Sequence, residues 1–188
     1  MRTGKGHARA AGSRRRAVGR AARSDYLTRS SHEEDDMADR YLDDLSVGES
    51  WEGEPFTITE AEVIAFAQQF DPQPMHVDAA AAAEGRFGGL IASGWHVASR
   101  VMREYVDVGY FGATPMLGIS IDDLRWLRPV RPGDALTVRR EILAVTPSQS
   151  RPDRGTVKTK TWVRNQDGDL VMTFENLMQL PKDASVRL

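Results

Sequence analysis

The chain has 188 residues, 40% of them hydrophobic and 28% charged, with a formal net charge of −2; this suits one domain with its own core and is short for two. The absence of cysteine excludes disulfides, a thiol nucleophile and thiolate metal sites, and it suits a reducing cytoplasm. Nothing in the overall charge invites nucleic acid, and the most apolar helical stretch, 90–106, is broken by Arg100, Arg103 and Glu104, so no segment is suited to crossing a membrane.

That balance hides an asymmetry. Residues 1–36 hold nine Lys and Arg against five Asp and Glu, whereas the remaining 152 hold 16 against 22. The first segment is rich in Arg, Ala, Gly and Ser and poor in large apolar residues, so it cannot offset its own ordering entropy and reads as a disordered basic leader. Its composition also fits an organelle transit peptide, a nucleic-acid tail, or upstream sequence translated ahead of a true start at Met37. A folded domain is expected over 37–188.

A strand is expected near 50–58, followed by Thr59-x-x-Glu62, the capping box that opens a helix. Val63, Phe66, Ala67 and Phe70 recur at helical spacing and form the face that this helix would bury. Asp71-Pro72-Gln73-Pro74 ends it in a stiff loop, because proline fixes φ and cannot donate. Asp78 caps a short helix over 79–84, and Gly85, Gly88 and Gly89 allow a reversal. A longer helix follows over 90–106, its apolar face including Trp95, Ala98, Val101, Met102 and Tyr105, with Arg100, Arg103 and Glu104 towards the other side.

Four strands complete the chain, near 116–127, 135–145, 156–165 and 170–180. Pro129, Pro132 and Gly133-Asp134 separate the first pair, and Asp167-Gly168 marks a hairpin between the last two. Val157, Thr159, Thr161 and Val163 alternate with Lys158, Lys160, Trp162 and Arg164, the period of a strand with one buried face. Strand, helices, then consecutive strands is an α+β order built on an antiparallel sheet.

With no Gly-x-Ser-x-Gly elbow and no phosphate-cradling glycine loop, general acid/base chemistry is what remains. Within the folded part histidine occurs only at 76 and 96. Asp71 and His76 flank two prolines, which restrict the backbone between them; such a pair can hold a water for proton transfer or simply stabilise a turn. The glycines of Gly88-Gly89-Leu90-Ile91-Ala92-Ser93-Gly94-Trp95-His96 precede the long helix, where unpaired amides can stabilise developing negative charge, or where small residues allow close packing. His96 reads as a helix-surface or interface residue. His76-x-Asp78 lacks a third ligand, so no metal is expected, and no organic cofactor either.

Together these segments resemble the MaoC-like dehydratase family, the (R)-specific enoyl-CoA hydratases, over most of residues 40–182. The family pattern D-x-N-P-x-H-x-D is met by Asp71, Pro74, His76 and Asp78, and its aromatic-x-x-P-V-x-x-G-D turn by Trp126, Pro129, Val130, Gly133 and Asp134. The resemblance implies a hot-dog fold, in which a curved antiparallel sheet wraps a central helix. It also implies a homodimer, and water addition to a trans-2-enoyl-CoA thioester with Asp71 and His76 as the catalytic pair and the Gly94 amide as oxyanion donor. Gln73, Pro74, Ser93 and Trp95 would adjoin the substrate, and Arg86, Arg125, Arg128 and Arg131 are candidates for coenzyme A phosphates. Gln73 replaces the usual Asn, and Ser93-Gly94-Trp95 stands where His-Gly-Met is frequent, which bears on acyl length and branching. Two alternatives use the same fold: an acyl-CoA thioesterase, which places a carboxylate on the central helix, and a non-catalytic acyl-thioester-binding subunit.

Overall fold

A computed structural model of the chain describes residues 38–186; the expected leader and Met37 lie outside the described residues. The elements run as β1 (Ser50–Glu52), β2 (Phe56–Thr57), α1 (Glu60–Phe70), α2 (Pro74–Val77), α3 (Ala79–Glu84), α4 (Gly94–Val108), β3 (Leu117–Trp126), β4 (Ala135–Pro147), β5 (Arg154–Arg164) and β6 (Leu170–Pro181). All sheet pairings are antiparallel, in the order β1-β4-β5-β6-β3, with β2 also on β4. This is the hot-dog architecture, with α4 lying across the sheet. Among the described residues no helix is long and apolar enough to cross a membrane.

The local signals act as their chemistry dictates. Thr59 Oγ1 accepts from Glu62 N at 3.2 Å while Glu62 Oε2 accepts from Thr59 N at 2.8 Å, so two otherwise unpaired donors are satisfied at the start of α1. Asp78 Oδ1 accepts from Ala80 N and Ala81 N, each at 3.0 Å, opening α3. The strand expected over 50–58 is split into β1 and β2, with Pro55, which has no N–H to give, in the gap. The stiff loop after Asp71 contains one helical turn, α2, with Pro74 as its first residue.

The sheet face beneath α4 is apolar at both ends and polar across its middle. Ile58, Val63, Val97, Val101, Leu136, Val138, Val163 and Met172 form one buried cluster. Leu45, Phe111, Ile142, Val157, Met178 and Leu180 form another. Between them, along β4 and β5, lie the buried Arg140, Thr159 and Thr161. Arg140 Nη2 donates to Val101 O at 3.0 Å, and Nη1 lies 2.7 Å from Glu104 Oε2. Glu104 therefore faces the sheet, not the side away from the apolar face where it was expected. Gly53 makes this possible, since a Cβ there would collide with the Glu104 carboxylate and Val108.

The rotation of α4 also leaves apolar residues uncovered. Trp95, Met102 and Val106 are 59%, 52% and 62% exposed, whereas Val97 and Val101 are buried. The edge strand β3 is similar: Leu117, Ile119 and Ile121 are each at least half exposed.

Candidate active site

Asp71 and His76 come together where α1 stops. Asp71 terminates α1, its N–H donating to Ala67 O at 2.9 Å, and the single turn of α2 then brings the His76 ring back towards it. The His76 side chain is 5% exposed, and its Nδ1 lies 2.8 Å from Ile91 O. A carbonyl can only accept, so Nδ1 carries a proton, and in its neutral form the ring presents the lone pair of Nε2. Nε2 in turn lies 3.5 Å from Asp71 Oδ2. That is too long for a direct hydrogen bond, yet one water oxygen can reach both atoms.

The Asp71 carboxylate is held from both sides. Gln73 Nε2 donates to Oδ1 and Ser93 Oγ donates to Oδ2, both at 2.7 Å. These bonds, first from Gln73 and then from Ser93, together with the neighbouring imidazole, hold the carboxyl below the usual aspartate range despite partial burial. It is a carboxylate at neutral pH and a reluctant proton acceptor.

Ser93, expected to adjoin the substrate, is placed here against Asp71. It is fully buried and precedes α4 at the position where a serine hydroxyl usually caps the first turn, but its hydroxyl goes to Asp71 and makes no cap. The first intrahelical bond of α4 runs from Val97 N to Ser93 O at 3.1 Å, so the Gly94 amide precedes the hydrogen-bonded ladder at the positive end of the helix. Gly94 has no room for a side chain: a Cβ would lie 2.6 Å from the Trp126 ring, whose Nε1 donates to Gly94 O at 2.9 Å. Trp126, read from sequence only as part of a turn motif, thus fixes the Gly94 peptide from 32 residues away.

Beside Asp71 opens a cleft of about 340 Å³ lined by Phe66, Phe70, Asp71, Trp95 and Ser99. Phe66 and Phe70 were expected in the core of α1; Phe66 is only half-buried and Phe70 is 64% exposed. Their i, i+4 spacing marked one face of a helix without indicating that it borders a cleft. His96 is buried and stacks on Phe66 with ring centroids 4.6 Å apart, and burial pushes its pKa down. It is a wall behind the cleft, in place of the surface residue expected.

Pro74 is exposed at the start of α2. Among the arginines, Arg125 pairs with Asp123 at 2.7 Å and Arg128 with Asp169 at 3.3 Å. Arg131 Nη2 donates to Phe87 O at 2.5 Å, and Arg86 lies over the Phe87 ring.

Comparison with known proteins finds similarity along most of the chain. The family model described as "MaoC like domain" matches residues 44–165. An uncharacterized protein, YdeM of Bacillus subtilis, is 30% identical over 121 residues, which cover 64% of this chain and 86% of that protein. Among solved structures, the MaoC-like dehydratase from Rhodospirillum rubrum superposes with a TM-score of 0.70 at 38% identity, covering 77% of this chain and 98% of that one. The R-hydratase PhaJ1 from Pseudomonas aeruginosa gives 0.62 at 29% identity, covering 76% and 86%.

Proposed function

Since this chain belongs to the MaoC-like dehydratase family, a family of hydratases and dehydratases, we propose that it adds water to a trans-2-enoyl-CoA to give an (R)-3-hydroxyacyl-CoA, and catalyses the reverse. The observation that carries this reading is the 3.5 Å gap between Asp71 Oδ2 and His76 Nε2, with each group fixed from behind by other partners. A water in that gap donates one hydrogen bond to the carboxylate and one to the imidazole. His76 Nε2 takes the proton as the water oxygen bonds to C3, and the double-bond electrons move towards the thioester carbonyl, whose oxygen becomes negative. The Gly94 N–H donates to that oxygen. The imidazolium then returns its proton to C2, so that H and OH have been added across the double bond. Asp71 is assigned the orienting and charge-stabilising role because its two oxygens already accept hydrogen bonds that keep it ionised.

The thioesterase alternative draws less support. The two carboxylates on α4, Glu104 and Asp107, are engaged by Arg140 and Arg103, at 2.7 Å in each case. Purified protein given crotonyl-CoA is expected to bleach the conjugated thioester absorbance and yield the (R)-3-hydroxy product. Release of free thiol from saturated acyl-CoAs, with no hydration, would replace this reading by the thioesterase one; silence in both assays would favour an acyl-thioester binder.

The same reading includes a homodimer. Leu117, Ile119 and Ile121 are 60%, 50% and 53% exposed on an edge strand, a combination that invites edge-to-edge pairing unless a partner covers it. Met102 and Val106 on α4 add to the uncovered apolar surface. Light scattering is expected to give twice the 20.9 kDa chain mass, and Ile121→Lys to shift it to one chain. A wild-type protein that remains monomeric at micromolar concentration overturns the dimer.

A further inference from the structure

If the proposed hydration holds, C3 of the enoyl thioester sits at the Asp71–His76 gap, and the rest of the acyl group has to continue over whatever surface adjoins Asp71. The cleft of about 340 Å³ lies there, and apart from Asp71 itself and Ser99 its lining is Phe66, Phe70 and Trp95. The Ser99 hydroxyl spends its one proton on Trp95 O at 2.8 Å, so the cleft offers three aromatic rings and, apart from the reacting carboxylate, only the accepting side of one hydroxyl.

Those rings are braced. Phe66 stacks on the buried His96 with the ring planes 4° apart, and it meets Phe70 at 5.0 Å between centroids. Trp95 stands edge-to-face on Trp126, with centroids 5.3 Å apart and planes at 76°. Trp126 is in turn tied to Gly94 O by its indole N–H. A Met or Leu wall can change rotamer to admit a longer chain, whereas rings held in this way cannot without losing their contacts. The volume is near the lower end of the roughly 300–1,000 Å³ typical of small-molecule pockets.

We infer that this cleft is the acyl site and limits the enzyme to short-chain enoyl thioesters, with Trp95 as the residue that sets the limit. Trp95 is more than half exposed, so its replacement removes a wall and leaves the core intact.

The test is kcat/KM for crotonyl-, trans-2-hexenoyl-, trans-2-octenoyl- and trans-2-decenoyl-CoA, measured for the wild-type protein, Trp95→Met and Trp95→Phe. In the wild type the value should fall at least about tenfold from crotonyl to octenoyl, within the discrimination that one or two surplus methylenes produce in a tight apolar pocket. Trp95→Met should raise the octenoyl-to-crotonyl ratio by about tenfold or more, and Trp95→Phe by less. A wild-type profile that is flat or rises with chain length overturns the inference while leaving the reaction standing. So does a Trp95→Met variant that changes all four substrates by one common factor, which would indicate a structural role. Hydration of none of the four by the wild type overturns the reaction and this inference together.

Discussion

His76→Ala is expected to lower kcat for crotonyl-CoA hydration by about a thousandfold, in the middle of the roughly hundred- to ten-thousandfold range that positioned acid/base groups supply. KM should change little, because the imidazole acts on the water and the C2 proton and does not bind the thioester. The variant also leaves Ile91 O without its donor, at a cost of about 1–3 kcal/mol for a buried carbonyl. His76→Asn separates the two effects: its side-chain amide can still donate to Ile91 O but cannot take a proton. It should be as inactive as His76→Ala and more stable in urea. A His76→Asn enzyme retaining a tenth or more of wild-type kcat would remove His76 as the base. Asp71→Asn should lose activity on a comparable scale, since an amide presents an N–H where Gln73 or Ser93 now donates.

Asp71→Asn carries a pH signature of defined sign. The folded-state pKa of Asp71 is depressed, chiefly by the bonds from Gln73 and Ser93. Its ionised form therefore stabilises the fold at pH above the ordinary aspartate range, and that contribution fades as pH falls through the depressed value. The stability difference between wild type and Asp71→Asn should accordingly begin to shrink as pH falls into the ordinary aspartate range and be gone below the depressed value. With the side chain 22% exposed, the size of this contribution is modest.

The largest stability effect is expected at the polar midline of the sheet. Glu104→Leu leaves the Arg140 guanidinium, 3% exposed, without its counter-charge beneath α4, and should cost about 3–5 kcal/mol in urea unfolding, the usual penalty for stranding a buried charge. Burial pushes the Glu104 pKa up and that of Arg140 down, each opposed by the partner's charge, so each member offsets the desolvation of the other. The close Nη1–Oε2 contact lacks good hydrogen-bond alignment, and its strength is mainly attraction between charges in a poorly solvated place. Arg140→Met should be comparably damaging, whereas the double variant Glu104→Leu/Arg140→Met should recover most of the loss. A single variant within about 1 kcal/mol of wild type would mean that water reaches the pair, as it does at exposed ion pairs.

Much of this was legible in the residues themselves. The capping box at Thr59, the Asp78 cap, the alternation along β5 and the hairpin at Asp167-Gly168 each depend on neighbours within a few positions, and short-range chemistry is sufficient to specify them. Asp71 and His76 stood out because histidine is scarce and two prolines stiffen the link between them. What the periodicity of α4 could not disclose is which part of a broad apolar face would be covered. Tertiary packing buried Val97, Val101 and even Glu104 and left Trp95 and Met102 open, because Arg140 on β4 supplied the charge that lets a carboxylate go inside. The tautomer of His76 depends on Ile91 O, 15 residues on, and the state of Asp71 on Ser93, 22 residues on. Local sequence decides which elements form; which nitrogen carries a proton, which hydroxyl gives up its cap and which rings line a cleft are decided by long-range contacts, whose energies exist only once the sheet has brought distant residues within hydrogen-bond reach.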